Sequence, residues 1–246
     1  MKDKYHNFMN RITREIVSKY CLPERSLINN YQFYLLDKYI DNEKNILDIG
    51  SYDGRVAWMI IDSLKKTPQS ICITDWTSEA VEKCIQNMRP GEEKFIDFSV
   101  EDVMSLTFKD KKFDTVVAFG NVLNLIYGYA DGQNRLVINS EQKNLHRTEE
   151  SLLQSIKNMH RVTKVNGKIL ITIDLQNQTI PNWTDPQDIK NKLESFFDLK
   201  VLESKVAGKI HDKVKADAHR RRGLHRFSDY CNHDKSMMIL ACERVK

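Results

Sequence analysis

The run Ile46-Leu47-Asp48-Ile49-Gly50-Ser51-Tyr52-Asp53-Gly54-Arg55 constrains this chain more than any other segment. A short apolar strand ends in an acidic residue, a turn carries two glycines four apart, and a helix opens behind it. In an open α/β sheet this grammar places a nucleotide-type ligand at the carboxyl end of the first strand. Glycine suits the tight turn because it tolerates positive φ, and its missing Cβ lets a ligand approach the backbone. No Gly-Lys-Ser/Thr follows, so the turn is not a P-loop. Tyr52 stands where a dinucleotide fingerprint has its middle glycine.

The rest of the chain repeats the same alternation. Strands are predicted at 46–49, 71–74, 95–100, 113–119, 168–175, 199–206 and 237–242. Helices are predicted at 54–65, 78–88, 148–164 and 185–197, with Asn166-Gly167 stopping the third. Alternation implies βαβ crossovers and a Rossmann-like, doubly wound, seven-stranded α/β sheet. It is mostly parallel. The last two strands have no helix between them, so the last strand is expected to run antiparallel. Residues 1–40 read as a helical N-terminal extension or lid, with Ile12, Ile16 and Tyr20, then Tyr31, Tyr34 and Leu35, at helical spacing around a break at Pro23. Residues 41–246 form the catalytic domain in this reading.

Composition sets limits around that fold. The chain of 246 residues is 41% hydrophobic and 29% charged, ordinary for a globular protein with a real core. No apolar run is long enough to cross a bilayer, and the polar N-terminus lacks a signal-peptide core. Five cysteines are scattered without a Cys-x-x-Cys pair. Reduced thiols in a cytoplasmic protein are therefore expected, with no zinc framework or other metal site and no membrane partner. Cys72 and Cys242 fall in strand runs and read as small buried hydrophobes.

Ligands bind beyond the carboxyl ends of the strands in such a sheet, so the strand ends carry the chemistry. The first ends at Asp48 and Gly50. The second ends at Asp75, a carboxylate suited to a ribose diol, followed by Trp76, a flat surface for adenine. The third ends at Glu101-Asp102, where a carboxylate can accept from an adenine amino group. The fourth ends at Phe119-Gly120-Asn121, beside the ligand's reactive arm. Each acid has a structural alternative: Asp75 as a cap for the helix near Ser78, and Asp102 as the opener of a turn.

With these residues assembled, the chain resembles the class I S-adenosylmethionine-dependent methyltransferases over roughly residues 45–245. Asp48 to Gly54 is similar to their glycine-rich first motif. The stretch from Asp102 to Phe113-Asp114 is similar to their passage from the adenine-contacting Asp to the fourth strand, and Val165-Asn166-Gly167-Lys168 to their turn before strand five. The resemblance implies S-adenosyl-L-methionine as cofactor and S-adenosyl-L-homocysteine as product. It implies Asp75 on the ribose, Asp102 and Val103 at the adenine, and Asp48, Gly50, Ser51, Gly54, Gly120 and Asn121 around the methionyl arm.

A finer resemblance is to small-molecule N-methyltransferases of the glycine and sarcosine type. It rests on Gly120-Asn121-Val122-Leu123-Asn124-Leu125 and on Ile173-Asp174-Leu175-Gln176-Asn177, and it implies Asn124, Gln176 and Asn177 at the acceptor. In that family an arginine before the last Asn binds an amino-acid carboxylate. Gln176 is neutral and cannot form that bidentate charged pair, which argues against glycine itself as acceptor.

The acceptor must be held in line with the S–CH3 bond and, for an amine, must be neutral. Asp174, His146 and His225 are the candidate bases by predicted position. Residues 208–235 hold eight Lys/Arg against four Asp, equal to the whole net charge of +4. Within them Arg220, Arg221, Arg222 and Arg226 suit an anionic acceptor, or else form a solvated loop. The expectation is methyl transfer to a small molecule, most readily at nitrogen. The alternatives are an RNA, tRNA or other macromolecular acceptor, and a non-catalytic cofactor-binding protein.

Overall fold

The computed structural model describes residues 27–51, 53–119, 129–130, 136–137, 149–175, 183, 185–207 and 237–246. Seven strands form one sheet: β1 (Asn45–Ile49), β2 (Ser70–Asp75), β3 (Ile96–Val100), β4 (Phe113–Ala118), β5 (Thr163–Asp174), β6 (Leu199–Ala207) and β7 (Met237–Arg244). Their order is β3-β2-β1-β4-β5-β7-β6. The first five pair in parallel, and β7 runs antiparallel between β5 and β6. This is the Rossmann-like arrangement expected from the alternation, with the antiparallel strand last in the chain. A separate two-stranded pair joins Tyr129–Ala130 to Leu136–Val137.

Successive side chains of a strand point to opposite faces, and the core divides accordingly. Leu47, Ile49, Val116, Ala118, Ile169, Ile171, Leu240 and Cys242 enter one cluster, covered by α4 (Glu149–Val162) and α5 (Pro186–Phe197). Ile46, Ile71, Ile73, Val117, Leu170, Ile239 and Ala241 enter the other. That face is covered by α1 (Leu27–Tyr39), α2 (Arg55–Trp58) and α3 (Ser78–Gln86). Cys72, Cys84 and Cys242 are free and buried. Burial pushes the Cys72 and Cys242 thiols up to about 12, which leaves them unreactive at neutral pH.

The helix α1 is part of this layered body. Leu35, Leu36 and Ile40 are buried under it, and Gln32 reaches Thr172 inside β5. On its outer side Glu203 of β6 accepts hydrogen bonds from Tyr39 at 2.5 Å and Tyr31 at 3.3 Å, and pairs with Lys38. Burial works to raise the Glu203 carboxyl, but the bonds from Lys38 and the tyrosines outweigh it and hold it below the usual range.

Two local expectations differ from what forms. The predicted amphipathic helix over 54–65 is one α turn followed by a π-helical stretch, Met59–Ser63. Val56 to Ile60 are all buried, so the helix has no solvent face there. The Asn166-Gly167 pair does not end α4. The helix stops at Val162, β5 begins at Thr163, and the pair forms an irregularity where the β4–β5 register shifts. Tertiary pairing with β4 overrides the turn signal. Asn166 takes φ 62, and a Cβ on Gly167 would lie 2.8 Å from the Asp114 carbonyl oxygen.

Candidate functional site

Register brings the strand ends into one row. Ile49 pairs with Thr74 and Thr74 with Ser99, so Gly50, Asp75 and Val100 follow side by side. Asp48 pairs with Val117, which puts Phe119 next to Gly50. Ala118 pairs with Ile171, yet β5 continues three residues to Asp174. At ~3.3 Å per residue it projects about 10 Å beyond that pairing level. Asp174 and Ala207 both pair with Met237, so the connection from β6 to β7 leaves and returns at this same edge.

The glycine turn is tied at several points. Gly50 and Gly54 take φ 67 and 79, the left-handed conformation that glycine adopts without a Cβ clash. Ser51 donates from its backbone N–H to the Thr74 carbonyl at 3.0 Å, which anchors the turn to β2. The Ser51 carbonyl accepts from the N–H groups of Asp53 at 2.7 Å and Gly54 at 3.0 Å. Asp53 Oδ1 accepts from the Arg55 N–H at 3.1 Å and so opens α2. Burial pushes the Asp53 carboxyl up, against the pull of Arg55.

Asp48 is 1% exposed. Its Oδ2 accepts from the Ser51 hydroxyl at 2.6 Å, while Oδ1 is buried with no hydrogen-bond partner among the described residues. Burial pushes this carboxyl up to about 7, against the Ser51 hydroxyl, Arg55 and the Ala57 backbone N–H. A buried carboxyl oxygen that meets no donor among the described residues, beside a backbone open to close approach, fits a cationic ligand such as a sulfonium cofactor.

The second strand end is built around Asp75, a buried residue. Its Oδ1 accepts from the backbone N–H and the hydroxyl of Thr77, both at 3.2 Å. The Thr77 oxygen in turn accepts from the Ala80 N–H at 3.3 Å and caps α3. Asp75 therefore orients the cap residue and does not cap the helix directly. Trp76 beside it is 46% exposed, at the sheet edge.

At the third end the two acids separate. Glu101 is buried and turned into its own loop, accepting from Ser99 at 3.0 Å and from the N–H and hydroxyl of Thr107 at 2.9 and 2.6 Å. Asp102 is the exposed one, and its Oδ1 caps a short 3-10 turn by accepting from Met104 N–H at 2.9 Å. Val103 is packed into the core. Gly120, Asn121, Asn124, His146, Gln176, Asn177, Arg222, His225 and Arg226 lie outside the described residues, and Asp174 is described by its backbone alone.

Three contributors escaped the sequence reading: Asp53, Thr77 and Trp58. The Trp58 indole nitrogen donates to the Asp53 carbonyl at 2.8 Å, and the ring lies against Gly54. The available signal was spacing. A helical side chain covers the turn before it, so a tryptophan four residues after a glycine rests on that glycine.

Residues 40–219 match the family described as Methyltransferase domain. No curated protein matches the chain. Among solved structures, a proposed sarcosine dimethylglycine methyltransferase from Galdieria sulphuraria is 13% identical with TM-score 0.59, covering 88% of this chain and 84% of that one. The N-methyltransferase NodS from Bradyrhizobium japonicum is 13% identical with TM-score 0.54, covering 88% and 94%. The cyclase SpnF is 17% identical with TM-score 0.56, covering 87% and 80%. At these identities the likeness is one of fold.

Proposed function

The chain belongs to the methyltransferase-domain family, and from that premise we propose that it transfers a methyl group from S-adenosyl-L-methionine to a small-molecule acceptor, at nitrogen. The observation that carries the reading is the row of Gly50, Asp75 and Asp102 at consecutive strand ends of one sheet edge. The cofactor supplies an activated methyl on a sulfonium. The protein's part is to bind, orient and exclude water, and such positioning is worth roughly 7–11 kcal/mol of a barrier.

In this proposal the Asp75 carboxylate receives the ribose hydroxyls, the Trp76 indole covers the adenine, and Asp102 accepts from its amino group. The glycine turn passes the methionyl arm. The acceptor then sits on the far side, between Asp174 at the projecting end of β5 and the basic connection from β6 to β7. The positions of Ala207 and Met237 beside Asp174 support this, because they anchor both ends of that connection at the same edge. Asp174, His146 and His225 remain the candidates for taking up the amine proton. Arg222 and Arg226 suit an anionic group on the acceptor.

Incubation of metabolite mixtures with methyl-labelled cofactor, read by mass spectrometry, tests the proposal. A labelled small amine supports it. Label found only in RNA favours a macromolecular acceptor. Neutralising Arg220, Arg221 and Arg222 together raises the acceptor KM and spares cofactor affinity if the connection faces the acceptor.

A further inference from the structure

The glycine turn has an internal brace that the cofactor reading does not require. Trp58 is fully buried, and two independent contacts join it to the turn. Its indole N–H donates to the Asp53 carbonyl at 2.8 Å. Its ring also occupies the space where a Gly54 side chain would stand, since a Cβ there would meet indole Nε1 at 2.5 Å and Cε2 at 2.6 Å. The backbone closes the same loop, with Trp58 N–H on the Gly54 carbonyl at 2.9 Å. Immediately after Trp58 the helix widens into the π stretch Met59–Ser63. Wide turns of this kind recur at functional positions in helices.

We infer that Trp58 is a positioning residue of the cofactor site, holding Asp53 and Gly54 of the glycine turn in their ligand-accepting shape before the cofactor arrives. The inference rests on the proposed methyl-transfer reading. The physical gain is preorganisation: a loop already fixed loses less conformational freedom on binding, so more of the contact energy appears as affinity. The carbonyl held by Trp58 belongs to the same residue whose carboxylate opens α2, so Asp53 is tied through both its main chain and its side chain. It also gives Gly54 a second reason to be glycine. The position must take φ 79 and must leave room for an indole.

The test is the effect of Trp58→Phe on cofactor affinity, by calorimetry well below the melting temperature. The inference expects the Kd for S-adenosylmethionine to rise roughly 5- to 10-fold, the scale of one lost hydrogen bond and its restraint. It expects kcat at saturating cofactor and the acceptor KM to stay within twofold. A purely structural tryptophan would lower the melting temperature and leave the Kd in place, and that result overturns the inference. Amide exchange on the unmodified protein covers a Trp58→Phe variant that fails to fold. Protected N–H groups at Asp53 and Gly54 without cofactor support a preformed turn, and free exchange there overturns it. A wild-type protein that binds no S-adenosylmethionine overturns the functional reading as well, whereas binding untouched by Trp58→Phe overturns this inference alone.

Discussion

Gln32 of α1 donates from Nε2 to the hydroxyl of Thr172 in β5 at 3.1 Å, a hydrogen bond between two buried side chains 140 residues apart. It ties the helix before the sheet to the strand that ends at Asp174. Thr172→Val keeps the shape of the side chain but leaves the Gln32 amide without its partner. The expected loss is about 1–3 kcal/mol in chemical denaturation. Combining Thr172→Val with Gln32→Leu recovers part of it, because both polar groups are then gone. A single variant as stable as wild type would show that the bond contributes nothing to the docking of α1.

Asp48 gives the stability a pH dependence of unusual sign. Its folded carboxyl is raised to about 7 by burial, from 3.8. The folded state therefore holds the proton more tightly than the unfolded chain. The stabilising effect is fully present below about pH 4 and is lost as pH rises to about 7. Asp48→Asn removes this dependence. The stability of the variant relative to wild type should climb between pH 4 and 7 and then level off, by as much as about 4 kcal/mol for three units of difference. Denaturation at matched pH values reads it, and a flat difference across that window refutes the assignment. Cofactor uptake adds a counterpart. A cation near Asp48 favours the carboxylate, so binding at pH 7 should release a fraction of a proton, seen by calorimetry in buffers of different ionisation enthalpy.

Asp75 and Thr77 separate ligand binding from helix capping. Thr77→Ala removes the cap of α3 and should cost about 1 kcal/mol of stability with little change in cofactor affinity. With Asp75 in its proposed role as acceptor for the ribose hydroxyls, Asp75→Ala should weaken cofactor binding by roughly 1–3 kcal/mol. Equal effects of the two variants on affinity would mean that Asp75 acts only by orienting Thr77.

Gly167 is closed to any side chain. A Cβ would lie 2.7 Å from the Lys164 carbonyl oxygen and 2.8 Å from that of Asp114. Backbone atoms cannot swing aside, so Gly167→Ala should destabilise by about 1–3 kcal/mol or more, with the strain at the β4–β5 junction. Melting curves check this, and an unchanged melting temperature would mean that the junction relaxes freely.

Periodicity made the sheet readable. Ile46–Ile49, Ile71–Thr74 and Phe113–Phe119 are short apolar runs with turn residues at their ends, and each forms a strand, the last of them stopping at Ala118. Parallel strands in register then bring their carboxyl ends together, which is why Asp48, Gly50, Asp75 and Asp102 could be gathered from one line of text. What stayed hidden depends on long-range contacts. Gln32 looks like a solvated helix residue until Thr172 is opposite it. The pair Asn166-Gly167 carries a turn signal that β4 converts into an irregular strand. Glu101 and Asp102 are equal candidates in sequence, and the bonds from Ser99 and from Thr107, six residues on, show that Glu101 is already engaged. The buried helix after Gly54 resembled an amphipathic one because its polar flank begins only after Ile60.

The return of β7 between β5 and β6 has a consequence for how such a protein can diversify. Its neighbours β5 and β6 hold the strand on both sides, while the connection that precedes it starts after Ala207 and ends at Met237, at the edge of Asp174. In the proposed function the donor is held at the carboxyl ends of β1 to β4. Replacing the 208–235 connection with that of another family member should therefore change which molecule is methylated while the donor half is left intact.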